Sequence, residues 1–381
     1  MVVSACAKGP EWREAEKGIL TDYVQLTERG DFLRAGEQYF SPDANWIIFQ
    51  AIPVPKEGQS PDEVYSMYVA KVKKNGAGDR ERIVGIEKPL LLSPPGSANT
   101  CGYFHPKEPW NVIFGSTLVK PSGQASGGYQ RGTSRYRWAF PDEMDVVQMM
   151  VPAIWESIHA PAGDRSVSSI PPTPVFSRTG YDAECAYSPD GRFIVHASVD
   201  PETHDSDIFV YDTKTKDRTP VVTAKGYDGG PFFSPNGKMI CYRSDRAGND
   251  LLQVYIADLV FADGGAITGS TNERAVTANE HVNWAPYWHP SGEYLIYATS
   301  EMGHDNYEVF AIEAPIGASA RKSPSELKKK RVTHAPGFDG LPVFSTDGRW
   351  MAWSSQRGPK VEGEERPSTQ VWAARVVGVK P

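Results

Sequence analysis

Pro231-Phe232-Phe233-Ser234-Pro235-Asn236-Gly237-Lys238 is one copy of a phrase that recurs along the chain. It returns as Tyr187-Ser188-Pro189-Asp190-Gly191-Arg192, Trp288-His289-Pro290-Ser291-Gly292-Glu293 and Phe344-Ser345-Thr346-Asp347-Gly348-Arg349. A fifth copy lies near the start, Phe40-Ser41-Pro42-Asp43-Ala44-Asn45, and a weaker sixth is Phe104-His105-Pro106-Lys107. Proline fixes φ at the first central turn position, and Asp-Gly or Asn-Gly supplies a left-handed residue. Each phrase therefore joins two antiparallel strands in a hairpin.

The flanks repeat as well. Two positions before the Ser or His stand Tyr39, Tyr103, Ala186, Phe232, Tyr287 and Val343. After each turn comes a short β-rich run, then a third apolar run such as Ile208–Tyr211 or Val309–Ile312. A short fourth strand ends in Leu26-Thr27, Val222-Thr223, Val276-Thr277 or Val332-Thr333. Four such strands make a twisted sheet with two apolar faces that cannot be buried alone. Stacking six copies around an axis buries them, which is a propeller. Leu26-Thr27 precedes the first copy and so belongs to the last blade, closing the ring and covering an edge. The expectation is an all-β, six-bladed propeller with four-stranded blades over residues 22–381, preceded by a tail over 1–21.

The unit P-x-F-S-P-D-G-K, a Ser-Asp-Arg loop and an I-Y-V-M-D strand resembles the TolB-like propeller repeat. Here its counterparts are Pro231–Lys238, Ser244-Asp245-Arg246 and Val254-Tyr255-Ile256-Ala257-Asp258. The resemblance covers about Leu26 to Ala374 and is strongest in the last four repeats. It implies that the strand before each turn is innermost in its blade. The residue six positions before the Ser or His would then stand at the channel mouth. These residues are Ala35, Asn99, Asp182, Asp228, Asn283 and Asp339. Three acids and two amides on one rim suit a cation such as Ca2+, held by Asp182, Asp228 and Asp339, or the basic groups of a peptide. The alternative is that they cap their own turns, as Asp and Asn commonly do.

Loops between second and third strands open on the same face. They hold Asp200, His204, Asp205 and Asp207, then Asp245, Arg246, Asn249 and Asp250, then Glu301, His304, Asp305 and Asn306. The second repeat carries an insertion at about 115–140 that ends in Tyr129, Arg131, Arg135, Tyr136, Arg137 and Trp138. Aromatic and arginine side chains are the usual anchors of interfaces, and long loops on rigid scaffolds often carry function. A second irregular stretch, 152–174 with Trp155 and His159, reads as a connection between blades.

The 381 residues carry a formal charge of −7, which disfavours nucleic acid, whose phosphates need a basic face. No apolar stretch approaches the length of a membrane span. Val3-Ser4-Ala5-Cys6 resembles the end of a lipoprotein signal, with Cys6 the lipidated residue and the chain tethered in the periplasm or at the cell surface. Cys101, Cys185 and Cys241 make no disulfide framework and read as small buried residues; a pairing of Cys101 with Cys185 stays open. No nucleophile elbow, zinc-protease motif or phosphate loop is present. His105 and His289 replace the Ser of the turn phrase and read as hairpin residues. The first expectation for function is a non-catalytic scaffold that binds a protein or peptide over the channel face. The alternative is a metal-dependent carbohydrate enzyme of the oligogalacturonate-lyase kind, using His204, His281 and His304.

Overall fold

The computed structural model describes residues 11–123, 141–159 and 170–381. Six antiparallel sheets surround one axis. The first blade holds Phe32–Phe40, Trp46–Pro53, Ser66–Asn75 and Arg82–Ile86 from the axis outward, with Leu90–Leu91 also paired to its third strand. The second holds Asn99–Phe104, Asn111–Ser116, Asp145–Met150 and the two-residue strand Thr173–Pro174. The third, fourth and fifth begin with the inner strands Asp182–Tyr187, Asp228–Phe233 and Asn283–Trp288. The sixth runs Asp339–Phe344, Trp350–Ser355, Gln370–Val376 and then Leu20–Gln25, so the N-terminal strand closes the ring.

The turn phrase works as one hydrogen-bonded unit. Ser188 Oγ donates to Asp190 Oδ1 at 2.5 Å and accepts from the Phe193 amide at 2.9 Å, while Asp190 Oδ1 accepts from the Arg192 amide at 3.0 Å. Ser41, Ser234 and Ser345 repeat this pattern. His289 Nδ1 accepts from the Ser291 amide, and His105 Nδ1 accepts from the amides of Lys107 and Glu108. The two histidines thus stand in for serine in the hairpins.

A second device recurs at the blade edges. The amides of Val371, Val254 and Val309, each the second residue of a third strand, donate to the hydroxyls of Thr27, Thr277 and Thr333 at 2.8–2.9 Å. In the first blade the Met67 amide donates to Ser93 Oγ at 3.0 Å, so Leu92-Ser93 plays the Leu-Thr part there.

Each inner strand carries a β-bulge, with register shifts between Gly36/Tyr39, Thr100/Tyr103, Ala183/Ala186, Gly229/Phe232, Trp284/Tyr287 and Gly340/Val343. The bulged residue has positive φ in every blade: Glu37, Cys101, Glu184, Gly230, Ala285 and Leu341, at 50–58°. Only one of the six is glycine. Five side-chain-bearing residues in this region imply that the ring imposes the geometry.

Part of the stretch read as a tail packs on the ring. Glu11–Ala15 forms a helical turn whose Trp12 is buried, and Glu16 is fully buried against the sixth blade. Pro152–His159, read as a connection, is a helix with Ile154 at 0% exposure beneath the second blade.

Candidate functional site

Position along the inner strand decides what reaches the axis. At the turn end, Tyr39, Tyr103, Phe232 and Tyr287 come from four different blades and meet as a plug. Ring centroids lie 5.0 Å apart for Phe232–Tyr287, 5.5 Å for Tyr39–Tyr103 and 5.6 Å for Tyr39–Phe232. The hydroxyls of Tyr103 and Tyr287 are 3.4 Å apart. Such packing leaves no passage through that end.

Above the plug the bulged residues line a small, narrow well. Its wall includes Glu37, Cys101, Glu184, Gly230, Ala285 and Leu341, with Arg243 and Cys185. Glu184 accepts from Arg243 Nη2 at 2.9 Å and from the Tyr227 hydroxyl at 2.8 Å. The Gly230 amide also donates to it, at 2.5 Å. Arg243 gets there because the fourth blade has no side chain at its bulge. A Cβ on Gly230 would stand 2.3 Å from Arg243 Nη1. Glu37 is held differently. It accepts from Cys101 Sγ at 2.9 Å and Thr100 Oγ1 at 2.9 Å, and among the described residues no cation pairs with it. Burial pushes its carboxyl up, against the lowering effect of those two donors. Burial likewise pushes the Cys101 thiol well up, and Glu37 adds to this.

The mouth is marked by the loops between second and third strands. Asp205 Oδ1 accepts from the Gly226 amide and Asp245 Oδ1 from the Tyr227 amide, which ties these loops to the start of an inner strand. Asp200, Glu202, Asp205, Asp207, Asp245 and Asp250 gather here. Burial and then the neighbouring Asp205 and Asp200 raise Asp207, and burial and then Asp250 and Asp205 raise Asp245.

Of the residues six positions before each turn, all but Ala35 begin their inner strands, and none is among the groups lining the well. Asp182, Asp228 and Asp339 are at most 1% exposed and face arginines. Asp182 meets Arg178 at 3.2 Å and Arg218 at 3.1 Å, Asp228 meets Arg246 at 3.2 Å, and Asp339 meets Arg357 at 2.8 Å. Asn283 Nδ2 donates to Gln253 Oε1 of the preceding blade, and Asn99 Nδ2 to the Tyr65 carbonyl of the preceding blade. Ala35 is buried. These side chains therefore knit the mouth. The three acids expected to hold Ca2+ are each taken up by arginine. Among the described residues no three His, Cys, Asp or Glu come together as a metal site.

The same applies to the histidines. His204 lies on a loop of the third blade, His281 between the fourth and fifth, and His304 on a loop of the fifth, and they form no cluster. His159 stacks on Trp155 and meets Trp110 edge-on at the helix 152–159. Cys101, Cys185 and Cys241 are free and buried. Tyr129, Arg131, Arg135, Tyr136, Arg137 and Trp138 of the insertion, and Cys6, lie outside the described residues.

The bulge residues escape a reading by simple alternation. Side chains two and six positions before the turn should share a face. One extra residue between them reverses every side chain upstream. The position four before each turn mixes Glu, Cys, Gly, Ala and Leu, while the position two before is mostly aromatic.

No protein-family model matches the chain, and no curated protein matches it. Solved structures do. One described as TolB from Agrobacterium tumefaciens shares 12% identity over 90% of both chains, with a TM-score of 0.50. TolB from Acinetobacter baumannii shares 13% identity at a TM-score of 0.51. That match covers 89% of this chain, which in turn spans 66% of the TolB chain. An oligogalacturonate lyase from Vibrio parahaemolyticus shares 10% identity over 93% of both chains, at a TM-score of 0.47. At these identities the likeness establishes the six-bladed fold of the TolB kind.

Proposed function

We propose that this protein is a binding propeller that engages a protein or peptide partner over the mouth of its central channel, in the cell envelope. The observation that carries the reading is the polarity of the channel. One end is stopped by four packed aromatic rings, and the other opens among acidic loops above a well with a carboxyl group that forms no ion pair among the described residues. A blind, polar-walled opening receives a ligand from one side only. The fold supports the reading as a platform shared with TolB structures. The insertion residues Tyr129, Arg131, Arg135, Tyr136, Arg137 and Trp138 supply interface anchors in this proposal.

The envelope location rests on the small residues before Cys6 as a lipid attachment point, which would tether the chain through its first ten residues. Among the described residues no helix is long and apolar enough to cross a membrane.

The test is affinity purification from envelope extract of wild type and of the Trp138→Ala, Arg137→Ala double variant. One protein should co-purify in near-equal amount with wild type and fall about tenfold with the variant, whose melting temperature stays within about 2 °C. Recovery of the chain alone under crosslinking would overturn the reading. A large loss of melting temperature would show that Trp138 and Arg137 are packing residues.

A further inference from the structure

The well carries more than a place for a partner to dock. Five features act together. Glu184 and Arg243 neutralise each other at 2.9 Å. Glu37, whose carboxyl burial pushes up, accepts only from a thiol and a hydroxyl and forms no ion pair among the described residues, so an entering cation would be the partner that lets it ionise. Beneath it lie the rings of Tyr39, Phe232 and Tyr287, whose faces attract cations. Ala285 contributes little bulk to the wall, while the room beside Gly230 is taken by Arg243. Above it, the acids of the third and fourth blades bias the mouth toward positive ligands.

We infer that the well is a cation pocket that takes the primary ammonium group of a partner chain, with Glu37 as its counter-charge and the aromatic plug as its floor. This rests on the partner-binding reading above and gives it a chemistry. An ammonium has the size of one water and donates three hydrogen bonds, which suits a narrow well walled by carboxylate, hydroxyl and ring faces. The planar guanidinium of an arginine is wider and demands a bidentate partner. Glu37 already gives both of its oxygens to Thr100 and Cys101. Segments that enter should be basic or end in a free amine, and the acidic rim at Asp200, Glu202, Asp205 and Asp245 would guide them.

The probe is n-butylammonium chloride, titrated calorimetrically into the full chain at low ionic strength, with n-butanol as the neutral control. Wild type should bind the ammonium and prefer it over the alcohol. Glu37→Gln keeps the size and removes the charge. It should weaken ammonium binding about tenfold or more while its melting temperature holds or rises. Equal binding of ammonium and alcohol, or an unchanged affinity in Glu37→Gln, overturns the pocket. Gly-Gly-Leu amide with a free amino terminus and Nα-acetyl-lysine methylamide then identify the source. Tighter binding of the first assigns an amino terminus, tighter binding of the second a lysine, and failure of both overturns the assignment to a partner chain. Failure of this inference is separable from failure of the docking reading. A partner captured equally by wild type and Glu37→Gln sinks the pocket and leaves docking intact. Ammonium binding that depends on Glu37, with no partner captured, does the reverse.

Discussion

Arg243 illustrates how much of the channel rests on single residues. Its side chain and that of Glu184 are only 7% and 5% exposed, and they meet through an opening that Gly230 leaves. Breaking a buried pair from one side leaves a charge without a partner, which costs about 3–5 kcal/mol. Arg243→Leu should therefore lower stability by that order, read as a shift of the denaturant midpoint. Glu184→Gln with Arg243→Leu together should recover much of the loss. A neutral single variant would contradict the buried pairing. Neither residue was legible in the sequence as a channel group. Arg243 lies on a second strand, and its reach depends on a missing Cβ in the neighbouring inner strand, which no repeat alignment at the turn phrase displays. Asp182, Asp228 and Asp339 were legible as a repeated position, but their arginine partners share a spacing only in the fourth and sixth blades; in the third, Arg178 precedes the inner strand and Arg218 opens the outer one. Only Ser244-Asp245-Arg246 was evident beforehand. The sixth blade repeats it as Ser355-Gln356-Arg357, where Arg357 Nε donates to Ser355 Oγ as Arg246 Nε does to Ser244 Oγ.

At the scale of elements, the hairpins and the ring closure follow directly from local chemistry. Pro and Asp-Gly set the turns, and a Leu-Thr without a preceding blade had to belong to the last one. The packed N-terminal segment did not follow, because a five-residue helical turn has no periodicity to read. Its hold is tertiary. Glu16 accepts from Arg357 at 3.1 and 3.2 Å and from the His334 amide at 2.7 Å, and the Arg357 guanidinium lies 4.4 Å from the Trp12 ring. The segment thus staples the closing strand to the sixth blade. Removing residues 1–18 should leave the ring closed by Leu20–Gln25 while stripping a carboxylate from a buried arginine. A loss of about 3 kcal/mol and earlier proteolysis near the closing strand are expected. Unchanged stability on truncation would mean that the staple contributes nothing.

Across the whole molecule, the buried acids around the mouth set the response to pH. Burial holds Asp182 and Asp228 up at about 6, against the lowering effect of their arginines and serines. Burial, and then Asp339, holds Glu308 up at about 7. Ordinary values are 3.8 for Asp and 4.5 for Glu. A raised folded-state value favours the fold while the group is protonated. That contribution is complete below pH 4 and is lost as pH rises to about 7, on the order of 3 kcal/mol per group as an upper bound. Glu313, held down to about 2 first by Lys322, acts in the opposite sense and is lost only as pH falls below the ordinary glutamate range. The melting temperature should therefore peak near pH 4 and fall by several degrees toward pH 7. Glu308→Gln should flatten the upper part of that curve. A melting temperature that is constant or rising from pH 4 to 7 would contradict the account. The ring as a whole presents two unlike faces, one of hairpin turns over an aromatic plug and one of acidic loops over a well. The most direct test of which face binds is site-specific photo-crosslinking in envelope extract, with p-benzoylphenylalanine at Glu202 on the mouth or at Lys238 on the turn face, both exposed. The account predicts a single crosslinked protein from position 202 and none from position 238. Crosslinks from 238 alone, or equally from both, would contradict the channel mouth as the binding surface.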